Sequence, residues 1–153
     1  MIKDSGTRRN FPTGAVRDIQ DGKGRCDLMP IMVIAKLLDR LTGGDFVIAG
    51  IARFAETKNT NHLYRALSAF SITAFNSSPE TMILETSKHF EDGARKYGEH
   101  NWQKGIPVNC YLDSAIRHYL KYRRGDTDEP HDRAFVWNIM CCIWEVDHHH
   151  DKN

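Results

Sequence analysis

Acids, cations and aromatics crowd one stretch of this chain, residues 85–102, ETSKHFEDGARKYGEHNW. Glu85, Glu91 and Asp92 supply carboxylates, Arg95 and Lys96 positive charge, and Tyr97 and Trp102 flat rings. Oxygen ligands hold Mg²⁺ or Mn²⁺, and such a cation balances a bound phosphate. A solvated face with ordinary ion pairs three or four residues apart accounts for the same residues. A second group, Asp113, Ser114, Arg117, His118 and Lys121, sets carboxylate, guanidinium, imidazole and ammonium along one arc. It reads as a metal-and-phosphate site or as an Asp–Arg pair beside a core-edge histidine. A third, Asp128-Glu129-Pro130-His131-Asp132, either ligates a cation or caps a helix whose N-terminus favours acids.

Other residues could hold a nucleoside or its phosphates. Tyr97, Asn101 and Trp102 combine rings that stack on bases with an amide that reads base edges. They could equally plug the end of a helical bundle. Asn138 falls between Phe135, Ile139 and Cys142, on a face that must be buried. An amide there needs partners, because an unsatisfied buried polar group costs about 1–3 kcal/mol. Either a ligand or a neighbouring helix would satisfy it. Asp21-Gly22-Lys23-Gly24-Arg25 lets backbone N–H groups, Lys23 and Arg25 approach a phosphate, but it lacks P-loop spacing and reads equally as a turn.

The elements that must position these groups are helical. Pro30 opens a helix through Leu41, stopped by Gly43-Gly44, and others run over Phe46–Glu56 and Asn61–Phe75. Ser78-Pro79 opens the acidic helix, on which Ile83, Phe90, Ala94 and Tyr97 form an apolar stripe. Glu85, His89, Asp92 and Lys96 form its second face, and Gly98 ends it. Tyr111–Arg124 and Pro130–Val146 complete the set, and no period-two alternation lasts long enough for a strand. The expected fold is all-α: a four-helix-bundle core, additional N-terminal helices, and a basic loop arm over residues 1–28, all in one domain spanning 1–153.

Composition narrows the function. With 153 residues, 27% charged and a net charge of +1, nothing argues for sequence-independent nucleic-acid binding, although the first 25 residues carry six Lys or Arg. No apolar run reaches the ~18 residues of a membrane span and no signal region opens the chain, so a cytoplasmic protein is expected. Cys26, Cys110, Cys141 and Cys142 lack metal-site spacing and read as reduced thiols. The closing Asp147-His148-His149-His150-Asp151 reads as a frayed polar tail.

Ordered blocks then carry a resemblance over residues 14–140. They are Gly22-Lys23-Gly24-Arg25-x-Asp27-Leu28-x-Pro30, Glu91-x-Gly93-Ala94-x-Lys96-Tyr97-Gly98-x-x-Asn101-Trp102, Asp113-Ser114-Ala115-x-Arg117-His118, Asp128-Glu129-x-His131 and Trp137-Asn138. The chain resembles the MazG-related dATP/dGTP diphosphohydrolase-like proteins, a largely phage-encoded group within the all-α nucleotide pyrophosphohydrolases. The group includes the MazZ-type enzymes of phages that replace adenine by 2-aminoadenine. The resemblance implies hydrolysis of a (d)NTP to (d)NMP and pyrophosphate by two or more Mg²⁺ or Mn²⁺ ions in a homo-oligomer, dimer or tetramer. For MazZ-type relatives the substrate is dGTP or GTP, and the dGMP feeds 2-aminoadenine nucleotide synthesis. Broader MazG relatives carry Glu-Glu-x-x-Glu and Glu-x-x-Asp; here Glu91-Asp92-x-x-Arg95 keeps only the acid pair, and Glu129-x-x-Asp132 is the nearest second half.

On this reading Glu91, Asp113, Asp128 and Glu129 are the metal ligands, with Asp92 and Glu85 in reserve. Glu91, Lys96, Arg117 and His118 act in catalysis. Substrate contacts fall to Lys96, Tyr97, Asn101, Trp102, Lys121, His131, Asn138, Lys23 and Arg25, with no membrane and no stable nucleic-acid partner. Two rivals stand beside it. An HD-type metal phosphohydrolase would bind metal through His118 and His131-Asp132, and a non-catalytic helical module would recruit nucleic acid or a partner through the basic arm.

Overall fold

A computed structural model describes residues 3–148. An arm containing β1 (Arg8–Asn10) and β2 (Val16–Asp18) precedes six helices: α1 (Ile31–Thr42), α2 (Phe46–Thr57), α3 (Asn61–Ala74), α4 (Pro79–Tyr97), α5 (Val108–Arg124) and α6 (His131–His148). Single 3₁₀ turns lie at Cys26–Leu28 and Asn101–Lys104. The fold is all-α, as expected. No described helix is long and apolar enough to cross a membrane.

The helix ends follow local chemistry. Asp45 accepts the Ile48 N–H at 2.9 Å to cap α2, and Ser78 accepts the Thr81 N–H at 3.1 Å to cap α4, with Pro79 in the first turn. Gly125 ends α5 in the left-handed conformation that glycine adopts without a Cβ penalty. Gly50 has a different task. A Cβ there would lie 2.7 Å from the His62 carbonyl oxygen, so its absence lets α2 approach α3.

Helix α6 is the axis of the molecule, packed against α5, α4 and α3. It is buried nearly all round: Ala134, Phe135, Val136, Ile139, Cys142 and Ile143 all face the core. Phe70 of α3 meets Phe135 at 4.7 Å between ring centroids and Tyr119 of α5 at 5.8 Å. Helix α1 is the opposite case. It buries only Ala35 and leaves Val33, Leu37 and Leu41 in solvent.

Three expectations need correction. The sequence predicts a loop arm, yet β1 and β2 pair antiparallel with Arg9 opposite Arg17. Three-residue strands are too short to show alternation, so the pairing carried no periodic signal. On α4 the apolar stripe is rotated: Ile83 is 53% exposed, while Met82, Thr86 and His89 face inward. Burial there follows the packing against α6, where the His89 and Trp137 rings meet at a tilt, 5.4 Å between centroids, rather than the side-chain hydropathy. The last helix extends to His148, and His149, His150 and Asp151 lie outside the described residues.

Candidate active site

The arm is laid across the bundle and roofs a cavity of about 340 Å³. Asn101 fixes it with both ends of its amide: Oδ1 accepts the Val16 N–H and Nδ2 donates to the Val16 carbonyl, each at 2.9 Å. Thr13 donates to the Gly105 carbonyl, and Arg117 donates to the Gly24 carbonyl at 3.0 Å. Arg17 reaches furthest in. Its Nη2 donates to Ser114 at 2.8 Å and to Asn138 at 3.2 Å, and its guanidinium lies over the rings of Tyr111 and Trp137.

The cavity wall is electropositive. Lys3, Arg9, Arg17, Lys23, Arg117 and Lys121 line it against two acids, Asp18 and Glu129. Such an excess suits a polyanion. Lys23 is paired with Asp18 at 2.8 Å and Arg117 with Asp113 at 3.1 Å. Lys121 makes no ion pair among the described residues.

The lining is also aromatic and polar. Tyr97, Trp137 and His89 line it. Arg17 Nη1, His89 Nδ1 and Trp137 Nε1 are buried without a hydrogen-bond partner. Burial, reinforced by Arg133 and Arg17, pushes the His89 imidazole down to about 3, so it is neutral at pH 7. Three unsatisfied polar atoms among the lining residues favour a ligand that supplies their bonds.

Where α5 meets the start of α6, imidazoles and carboxylates converge. His118 Nδ1 and His131 Nδ1 lie 2.9 Å apart, and His131 Nε2 is 2.7 Å from Asp128 Oδ1. Lys3 Nζ closes the chain at 2.6 Å from Asp128 Oδ2, and these two partners hold the Asp128 carboxyl well below its usual range. Burial and the neighbouring His131 hold His118 well below an ordinary histidine. Among the described residues, two groups of side chains approach closely enough to share an ion: His118–Glu129–His131 and Asp126–Asp128–His131.

The residues expected from the sequence divide cleanly. Arg117, His118, Lys121, Glu129, Asn138, Tyr97, Asn101 and Lys23 line the cavity, and His131 is buried behind His118. Glu91 stands outside it on the exposed face of α4, 3.6 Å from Arg95. Asp92 bridges to Arg133 of α6 at 3.3 Å, and Glu85 pairs with Lys88. Asp113 faces Arg117 and accepts the Cys26 N–H at 2.6 Å. Lys96 donates to the Lys3 carbonyl beneath the arm, Arg25 is paired with Asp27, and Trp102 packs on Phe90 and Trp144. Asn101 lines the cavity while holding the arm.

Sequence reasoning gave no site role to Lys3, Arg17, His89 or Trp137. His89 carried no signal, because helical spacing put it on the polar face of α4. Trp137 sat beside Asn138 in a resembling block and could have been taken with it.

Residues 56–153 match the family model described as dATP/dGTP diphosphohydrolase, N-terminal. Searches of curated proteins and of solved structures find no match.

Proposed function

Since the chain belongs to the dATP/dGTP diphosphohydrolase family and is a nucleotide diphosphohydrolase, we propose that it cuts a purine (d)NTP, dGTP or GTP first, into the monophosphate and pyrophosphate. Water attacks the α-phosphorus, the bond from that phosphorus to the oxygen bridging to the β-phosphorus breaks, and pyrophosphate leaves. The observation that carries this reading is the mixed lining of the cavity. It brings Lys3, Lys23, Arg117 and Lys121 together with a neutral histidine, an indole and an arginine that have unpaired polar atoms.

Lys121, Lys23 and Lys3 would meet the triphosphate, and Arg117 would add charge from its place beside Asp113. Tyr97 and Trp137 would flank the base. Arg17, held by Ser114 and Asn138, would present its donors to the acceptors on a guanine edge. The donor set at the α5–α6 junction fits a divalent ion: Glu129 lines the cavity, with His118, His131 and Asp128 around it. When bound, such an ion, alone or with others, would offset phosphate charge and lower the pKa of the attacking water.

The resemblance supports a place in a phage-infected cell, in its cytoplasm, where dGMP would supply 2-aminoadenine nucleotide synthesis. The apolar residues that α1 and the start of α2 leave in solvent, Val33, Leu37, Leu41 and Phe46, support a dimer or tetramer.

Product analysis across all dNTPs and NTPs with Mg²⁺ and with Mn²⁺, in ¹⁸O-labelled water, tests the reaction. Pyrophosphate and ¹⁸O-labelled dGMP are expected in equal amounts. Orthophosphate, or tripolyphosphate with free nucleoside, would overturn the reading, and tripolyphosphate would favour HD-type chemistry. The convergence of His118 and His131 is the one observation on that rival's side.

A further inference from the structure

We propose that His118, His131 and Glu129 form a three-ligand site for a first-row transition ion, of the Mn²⁺ to Zn²⁺ class rather than Mg²⁺, with Asp128 orienting His131. The inference uses the phosphohydrolase reading for what the ion does, not for whether it binds.

Spacing is the first argument. The Nδ1 atoms of His118 and His131 are 2.9 Å apart. Two nitrogens each about 2.0–2.1 Å from an ion and at right angles to each other would be separated by about 3 Å. Glu129 brings a carboxylate oxygen within 4.8 Å of both imidazoles, and it faces the cavity. Three protein ligands leave positions open to whatever the cavity holds, as catalytic metal sites do.

The second argument is what stands behind His131. Its Nε2 is 2.7 Å from the Asp128 carboxylate, so that nitrogen carries the proton and donates it. This fixes the tautomer with a lone pair on Nδ1, the atom facing His118. A ligating histidine characteristically donates its other N–H to a carboxylate in this way.

The third argument concerns which acid is left over. Asp128 is engaged by His131 and by Lys3, and Asp126 is paired with Arg124. Asp113 is paired with Arg117, and Glu91 faces solvent beside Arg95. Glu129 alone among these makes no ion pair among the described residues; its carboxylate accepts the Lys3 N–H at 3.5 Å. Two imidazoles and one carboxylate suit Mn²⁺, Fe²⁺, Co²⁺ or Zn²⁺. Mg²⁺ demands oxygen and binds imidazole poorly.

Metal-stripped full-length protein is titrated with Co²⁺ and read by visible absorption, with far-UV circular dichroism confirming the fold of each variant. We expect a cobalt band at one equivalent that Mg²⁺ does not compete away. His118→Ala and Glu129→Gln abolish it, and Asp128→Asn retains it with affinity about 10–100-fold lower. Histidines 148–150 are present in every variant, so their contribution cancels. No band above that of hydrated cobalt, or a band unchanged in both His118→Ala and Glu129→Gln, overturns the site and leaves the His118–His131 contact a plain hydrogen bond. Glu129, at a partly buried position, keeps the test decisive if His118→Ala fails to fold. Magnesium-driven dNTP turnover without the cobalt band defeats this inference alone. A cobalt band with no nucleotide cut under any ion defeats the phosphohydrolase reading alone.

Discussion

Two regions of this molecule look alike in sequence and differ in space. The α4 face with Glu85, Glu91 and Asp92 and the α5–α6 junction with Asp126, Asp128 and Glu129 each hold three acids with cations close by. On α4 each acid already has a cation: Glu85 pairs with Lys88 and Glu91 with Arg95 within one turn, while Asp92 pairs with Arg95 and with Arg133 of α6. Acids satisfied in this way leave little for a ligand. At the junction two helix ends and the arm meet, so His118, His131 and Lys3 arrive from different parts of the chain. Carboxylate density is common on surfaces. Convergence of unlike donors from separate elements is what makes a site.

The sharpest way to break this contrast is to neutralise one acid in each region. Glu129→Gln is expected to lower kcat for dGTP by at least about 10²-fold, since it removes charge where an ion and phosphate would lie. Glu91→Gln is expected to stay within about twofold, because an exposed pair like Glu91–Arg95 is worth only about 0–1 kcal/mol. Steady-state kinetics on both variants decides the matter. Equal losses would mean that α4 belongs to the catalytic centre.

Cations supply a second, smaller contrast. Lys121 faces the cavity without an ion pair, whereas Lys88 is held by Glu85 at 2.9 Å. Lys121→Gln is expected to raise KM for dGTP by about 10–100-fold, the worth of one hydrogen bond to a charged group at about 1.5–3 kcal/mol. Lys88→Gln should leave KM alone. A KM for Lys121→Gln equal to that of the parent would remove Lys121 from the phosphate wall.

The helices were legible because their signals are local: Ser78-Pro79, Gly98 and Gly125 each act within a turn of where they sit. The membership of the cavity was half legible. Asn138 could be named because helical spacing puts it on the buried face of α6, His118 and Lys121 because they share one arc of α5, and Glu129 from a resembling block just before α6. The arm defeated the reading, since neither a three-residue strand nor the reach of Arg17 to Ser114 and Asn138 leaves a periodic trace. His89 defeated it for another reason: a polar type at an inward position is placed by the packing of Trp137, which lies 48 residues away in the chain.

That last residue allows the finest cut, within α4 itself, between its solvated acids and its buried imidazole. His89 is neutral in the fold down to about pH 3, while the unfolded chain protonates it near 6.5. Below 6.5 the unfolded state therefore binds more protons, so stability falls as the solution is acidified from there toward pH 3. His118, also pushed down by burial, acts in the same direction. One such histidine costs about 1.4 kcal/mol between pH 7.5 and 5.5. His89→Gln removes one share, so its Tm should drop about 3–5 °C less than the parent's across that interval, whatever its starting value. Differential scanning calorimetry at the two pH values measures this. Parallel losses in parent and variant would mean that His89 takes up a proton in the folded chain, and the inward face of α4 would then differ little from its outward one.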